Sequence, residues 1–382
     1  MTVSSNNIDV KPVADKAGLE AFLSLPFRLY AEDRHWVPPL YLERQDHLSP
    51  KNNPYYQHAE VQLFTAWRAG QCVGRISAQV CELHQEHHKD GAGQFGFIEA
   101  EDDAAVFAAL FGAAEDWLRV KGMSCSRGPF SHSINEEVGL LVDGFDTSPQ
   151  FLMGHARPYY DAQLMAAGYA KAKDLLAYSY DPRDDIPRAM AAMVKKVARS
   201  GDMEVRKLSK KNLARDLDVI ISIFNDAWSD NWNFVPMTQA EINHLGQNLK
   251  LLVPEEYISI ASYQGQPAAM AVSLPNINEA IADLNGKILP FGWAKLLWRL
   301  KVKGVASARM PLMGVAKQFQ GSALGAALGI AAIDAVRQHH AATGTRLAEL
   351  SWVLEDNMAI RGIIEGLNAK PYKRYRIYER AL

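Results

Sequence analysis

The chain has 382 residues, 48% of them hydrophobic and 22% charged, and a net charge of −2, so it is long enough for two cored domains and offers no global attraction to nucleic acid or acidic membranes. Cys72, Cys81 and Cys125 are widely spaced and form no CxxC pair, which argues against a disulfide framework or a zinc site and for a cytoplasmic protein. The polar N-terminal residues carry no secretory signal, and no apolar run approaches the length of a membrane span.

In the first half, strand-like runs over 61–68 and 72–80, joined by Ala69, Gly70 and Gln71, predict a hairpin. His84, His87 and His88 follow without a second ligand group at suitable spacing, so a polar surface loop and no metal site are expected there. A strand over 94–100, a helix over 103–121 and a strand from Met123 come next. Glu99, Glu101, Asp102 and Asp103 lie at that helix start, where carboxylates suit caps and would repel a pyrophosphate. Further on, Asn135, Glu136, His155, Tyr159 and Tyr160 are polar residues amid apolar and glycine-rich sequence, and are read as acceptor contacts.

Two prolines and clustered charge from Asp181 to Pro187 break both periodicities. The reading is a first domain over 1–180, a linker and short helix over 181–201, and a second domain over 202–382 with an insert at 275–304. In the second domain the patterns predict a strand over 203–208, helices over 212–229 and 238–252, and a hairpin of strands 257–263 and 267–274 around Gln264, Gly265 and Gln266. After the insert come a strand over 307–315, a helix over 322–339, a strand over 346–353, a helix over 357–367 and a strand over 372–379. The shared element order of the halves predicts a duplicated α/β fold with mixed sheets.

Between the strand ending at Val315 and the Ala-rich helix beyond it, small residues Gly321, Ser322, Ala323 and Gly325 let successive backbone N–H groups approach an anion. The helix N-terminus adds partial positive charge, so strand, turn and helix come in the order that makes a phosphate cradle.

These residues resemble the GNAT acyltransferase superfamily, whose strand, Gln/Arg-x-x-Gly-x-Gly/Ala turn and helix hold the pyrophosphate of acyl-CoA. The matching turn is Gln320, Gly321, Ser322, Ala323, Leu324 and Gly325, with Ala323 in place of the usual middle glycine. Alanine lacks glycine's freedom at positive φ, so an altered loop or reduced affinity is expected. Residues 349–357 resemble the strand and asparagine before the last GNAT helix, and Glu365 and Leu367 match the end of that helix. Ile364 stands where many members carry a tyrosine that protonates the leaving thiolate. A closer resemblance, carried by 95–99, 133–145, 225–232 and 290–293, is to a bacterial family of two-domain GNAT-like proteins, a branch of which includes bacterial ceramide synthases. It implies tandem GNAT-like domains, each a mixed, mainly antiparallel sheet flanked by helices, with the thioester, acyl-CoA or an acyl carrier protein, bound by the second alone.

Acyl transfer to an amine needs a deprotonated amine, an oxyanion donor and a stabilised leaving thiolate. On the resemblance, backbone groups of Met313, Gly314 and Val315 meet the pantetheine and the oxyanion, and Gln320 to Gly325 with Asn357 complete the donor site. Glu349 and Asp226 are the candidates for moving the amine proton, and Asn225, Trp228 and Trp232 for lining the acceptor site. Tyr372, Tyr375 and Tyr378 alternate with Lys373, Arg374 and Arg376, so that one tyrosine could supply the missing acid and the basic face could meet a carrier protein or the CoA phosphates. In the insert, Trp293, Leu296, Leu297 and Leu300 follow helical spacing with Lys295, Arg299 and Lys303 opposite, the pattern of a helix over 290–303 lying on the inner face of a membrane. The expectation is an N-acyltransferase acting on an amine, lipid-like as in ceramide synthesis; the alternatives are an N-acetyltransferase of a soluble amine or peptide, or an inactive acyl-CoA sensor.

Overall fold

The computed structural model describes residues 7–382, the side chains of 247–251 apart. The chain divides into two compact units. The first runs to Leu175 and includes Leu284–Ile288 and Lys373–Leu382; the second comprises Leu176–Asp283 and Leu289–Tyr372. The second unit thus begins before the proline-rich break, and the closing strand, expected in the second domain, is divided between the two.

In the first unit, β1 (Asp9–Pro12), β2 (Ala59–Arg68), β3 (Gln71–Cys81), β4 (Ala92–Ala100) and β5 (Cys125–Gly128) lie side by side in that order. The expected hairpin is present: Ala69 and Gly70, both at positive φ, form a two-residue turn that brings Arg68 opposite Gln71. Helix α1 (Lys16–Leu29) is capped by Asp15 and buries Phe22, Leu23 and Leu25, and α2 (Tyr41–His47) follows it. The segment expected as a surface loop is instead helix α3 (Glu82–His88), with His84 buried and its Nε2 3.1 Å from Asp90 Oδ1. Burial lowers the His84 pKa to about 4. Helix α4 (Ala104–Val120) packs a stripe of Val106, Phe107, Leu110 and Phe111 on the sheet, where a Cβ on Gly74 would lie only 2.7 Å from Leu110. Short strands β6 (Phe130–Ser131), β7 (Glu137–Val138) and β8 (Leu140–Asp143), helix α5 (Tyr160–Ala166) and most of β9 (Ala170–Tyr180) complete the unit.

The second unit repeats the plan. After α6 (Arg188–Ala198) come β10 (Met203–Lys207), α7 (Leu213–Trp228), α8 (Gln239–Leu252), β11 (Ile258–Tyr263) and β12 (Gln266–Pro275). Gln264 and Gly265, again at positive φ, make the same two-residue turn. The insert carries α9 (Ile277–Ile281) and α10 (Gly292–Trp298), and the domain closes with β13 (Ser307–Val315), α11 (Ala323–Ala342), β14 (Leu347–Leu354), α12 (Met358–Gly366) and the start of β15 (Lys370–Ala381). Strands β10 to β14 lie in the order β10-β11-β12-β13-β14, all antiparallel except β13 with β14. The core joins Leu328, Ala332 and Val336 of α11 to Ala269 and Ala271 of β12, Leu350 of β14 and Ile364 of α12.

Both units interrupt one strand in the same way. In β4 the register on β3 shifts so that Phe97 and Ile98 share the place opposite Ile76, and pairing with β5 is confined to Ala92–Gln94. In β13 the register on β12 shifts so that Met310 and Pro311 stand opposite Ser273, and pairing with β14 is confined to Ser307–Met310. An extra residue bends a strand and increases its twist.

Candidate functional site

The site is built on the bend in β13. Pro311 has no N–H to give the ladder, a feature tolerated in sheets at edges and bulges, and β13 leaves β14 immediately before it. Beyond it β13 stays paired to β12 alone. The Ala316 N–H donates to Ala268 O at 2.8 Å, which fixes the alternation and turns the N–H and C=O of Met313 and Val315 away from β12, to the open edge. Both carbonyls there are engaged: Trp228 Nε1 donates to Met313 O at 3.2 Å and Gln320 Nε2 to Val315 O at 2.8 Å. The N–H groups of the same two residues face the gap between the strands.

The turn beyond β13 has the features its sequence implies. Gly321 has φ of 70°, a conformation that glycine adopts at little cost. A Cβ on Gly325 would lie 2.1 Å from Phe319 O, so no other residue fits. Ser322 caps α11, its Oγ accepting from Gly325 N–H at 3.0 Å and donating to Phe319 O at 2.6 Å. The N–H groups of Ala323 and Leu324 belong to the first helical turn, where the helix supplies no acceptor. Ala323 is the first residue of α11 and is absent from the left-handed region, so the expected distortion does not arise.

Glu349 is fully buried on β14, opposite Arg309 on β13 and one residue before the strands part. Its carboxylate accepts from Ser351 Oγ and from the Tyr372 hydroxyl, and Arg309 Nε lies 3.7 Å away. Arg309, itself buried, donates to Ser351 Oγ at 2.8 Å. Each Glu349 oxygen thus already accepts a hydrogen bond, one of them from the Tyr372 phenol. Ile364 is buried in the core.

The end of α7 lies against this edge. Asp226 is exposed and accepts from Lys317 N–H at 2.6 Å, and Gln320 Nε2 reaches Ala227 O at 3.4 Å. Trp228 packs between Phe224 and Trp352, at centroid separations of 5.1 and 5.8 Å. Asn225 Oδ1 is buried without a hydrogen-bond partner among the described residues, and Trp232 is half-buried just beyond the helix. A groove of about 680 Å³ runs along the outer face of α7 past Ser222 and Asp226 to Ala316 and Gln318. Asn225, Asp226, Trp228, Met313, Val315 and Gln320 therefore come together, and Glu349 with Tyr372 occupies the point where the strands part. Asn357 caps α12, accepting from Ile360 N–H at 3.2 Å.

The polar residues singled out in the first half are engaged within their own unit. Tyr159 donates to Ala100 O at 2.7 Å, and Tyr160 to Glu99 Oε2 at 2.6 Å, where Tyr30 also donates. Burial pushes the Glu99 carboxyl pKa up. Asp103 caps α4 and pairs with Arg68, so the acidic helix start is a structural cap. The Asn135 N–H donates to Ser133 Oγ at 3.1 Å, and Glu136 bonds His47. In the sequence, Pro311 is marked only by being a proline inside a strand pattern, and His132 only by being a histidine between two serines.

No family model matches the chain. It is 50% identical to the bacterial ceramide synthase of Caulobacter vibrioides, across all of both chains, and 46% identical to protein YghO of Escherichia coli K12, over 98% of this chain and 95% of that one. Among solved structures, a tandem GNAT protein from the clavulanic acid biosynthesis pathway matches 98% of each chain with a TM-score of 0.58 at 14% identity. A GCN5-related N-acetyltransferase from Sphaerobacter thermophilus gives a TM-score of 0.51 at 9% identity over 98% of this chain and 96% of that one. The fold is therefore tandem GNAT, and the chain belongs to the family of GNAT acyltransferases that contains the bacterial ceramide synthase.

Proposed function

We propose that the protein transfers an acyl group from an acyl thioester, acyl-CoA or an acyl carrier protein, to the amine of a long-chain lipid. The open edge of β13 beside the capped start of α11 carries this reading. Met313 and Val315 offer N–H groups to a pantetheine amide and to the thioester oxygen as it becomes an oxyanion, while the N–H groups of Ala323 and Leu324 meet the pyrophosphate. The amine attacks the thioester carbon, the C–S bond breaks, and the thiolate leaves. The Tyr372 O–H, donated to Glu349 at rest, turns to the thiolate and gives it a proton, the phenolate regains one from solvent, and Asp226 takes the proton of the amine directly or through water.

The insert supports a lipid acceptor. Phe291, Trp293, Trp298 and Val302 are each at least half exposed, and Leu296 is the buried anchor of α10. The expected basic face is partly neutralised, since Lys295 and Arg299 both pair with Asp283, whereas Lys301 and Lys303 have no ion pair among the described residues. Exposed tryptophans beside lysines fit an interfacial segment. No helix among the described residues is long and apolar enough to cross a membrane.

The test follows free thiol release from acyl-CoA with a long-chain amine in anionic vesicles and with soluble amines. Turnover confined to the vesicle-borne amine, and reduced by replacing Trp293 and Trp298 with serine, is expected. Turnover with soluble amines alone, or thioester binding without turnover, would sink the lipid reading or the enzyme reading respectively.

A further inference from the structure

The first unit contains a polar centre for which the proposed acyl transfer has no use. We propose that His47, His132 and Glu136 bind one divalent transition-metal ion, of the zinc type, in the first unit. The donor atoms, His47 Nε2, His132 Nδ1 and Glu136 Oε2, all lie within 4.8 Å of one another. The two imidazole nitrogens face each other at 3.2 Å, His132 Nδ1 is 4.0 Å from the carboxylate oxygen, and His47 bonds that oxygen directly. Ligands about 2.1 Å from a tetrahedral ion stand about 3.4 Å apart, so small side-chain rotations fit the set to an ion. Two imidazoles and one carboxylate are a ligand set that suits Zn²⁺ and leaves the fourth position open.

The surroundings hold these donors in place. His132 has φ of 82°, a left-handed backbone that is uncommon for a side-chain-bearing residue and that turns it out of β6. The amide of Gln79, fully buried, donates to Phe130 O at 2.9 Å and His132 O at 2.7 Å, clamping that turn. The His132 ring is stacked on Tyr55 and edged by Phe97, the residue at the β4 bulge, at 5.2 Å. Its second nitrogen lies 3.3 Å from the Tyr56 hydroxyl, the outer-shell partner that fixes an imidazole's tautomer. Asn53 donates to His47 O at 2.8 Å and approaches His132 Nδ1 at 3.4 Å, and Arg44 is already paired with Glu137, so Glu136 is left to the centre. Aromatic walls beside three convergent donors are of the kind that limits solvent access to a metal site.

The experiment uses the full chain, stripped with a chelator and titrated with Zn²⁺ by calorimetry and with Co²⁺ by visible absorption. One ion per chain is expected, with the intense visible bands of four-coordinate Co²⁺. Glu136→Gln and His47→Gln should each weaken binding by more than about 100-fold, since even outer-shell changes cost about 10- to 100-fold, and Asn53→Ala should weaken it by less. Circular dichroism melts verify that the variants fold; because Glu136 and His47 are only partly buried, they are chosen over His132. Absence of binding by the folded parent chain, or binding unchanged in both variants, overturns the proposal and leaves a hydrogen-bonded histidine network. Failure here leaves the acyl-transfer reading untouched, because no residue is shared.

Discussion

Trp228 Nε1 donates to Met313 O at 3.2 Å, so one indole from α7 closes half of the hydrogen-bonding capacity that Met313 presents on the open edge of β13. In the proposed mechanism the thioester meets the N–H side that this bond leaves open. Trp228→Phe keeps the ring between Phe224 and Trp352 but leaves that carbonyl without its donor. Loss of about 1 kcal/mol of stability is expected, with a KM for acyl-CoA raised several-fold and kcat changed less. A variant with unchanged KM would mean that the donor does not lie along this edge.

Glu349 and Tyr372 act as one unit in the proposed mechanism. Glu349→Gln and Tyr372→Phe should each lower kcat by about 100-fold, in the range of a lost proton-transfer group, and the double variant should be little worse than either single one. Steady-state kinetics with donor and amine varied separately checks this. Additive losses would separate the two residues, and full turnover in Tyr372→Phe would remove it as the acid.

In the turn, the two glycines differ in kind. Gly325→Ala places a methyl group against Phe319 O and should abolish measurable acyl-CoA binding while lowering stability by about 2 kcal/mol. Gly321→Ala meets no neighbour within 4 Å and should cost only about 1 kcal/mol of backbone strain. Ala323→Gly should leave acyl-CoA affinity nearly unchanged, because Ala323 already has helical geometry. Calorimetric titration with acyl-CoA ranks the three, and a gain in affinity for Ala323→Gly would contradict the geometry.

His340 is buried at the end of α11, its Nε2 2.8 Å from Ser273 Oγ, and burial lowers its pKa from 6.5 to about 4. Between those values the unfolded chain binds a proton that the folded chain does not, so stability falls as pH falls from 6.5 towards 4. A loss on the order of 2 kcal/mol between pH 6.5 and 5 is expected from this residue. Urea midpoints at the two pH values, compared with those of His340→Gln, test it; an equal pH dependence in both would place the effect elsewhere.

Local patterns carried the fold well because they depend on neighbours in sequence. The hairpins around Gly70 and Gly265 needed two adjacent residues tolerant of positive φ, and β13, the turn and α11 appear with almost the expected bounds. The same is true of Gly321 and Gly325, whose roles follow from one turn of chain. Two local outcomes depended on burial and capping that the pattern does not spell out: His84 of α3 is buried beside Asp90, and Ala323 is harmless because Ser322 caps the helix that Ala323 begins.

The sequence by itself thus determined the tandem α/β order, the small-residue turn before α11 and which residues are candidates for moving protons. Tertiary structure alone decided which of them meet. The bulge at Met310 and Pro311 parts β13 from β14, the buried Glu349 turns out to hold Tyr372, and His47 and His132, far apart in sequence, converge on Glu136. Strand register and side-chain convergence arise from packing between segments distant along the chain, and no local periodicity encodes them.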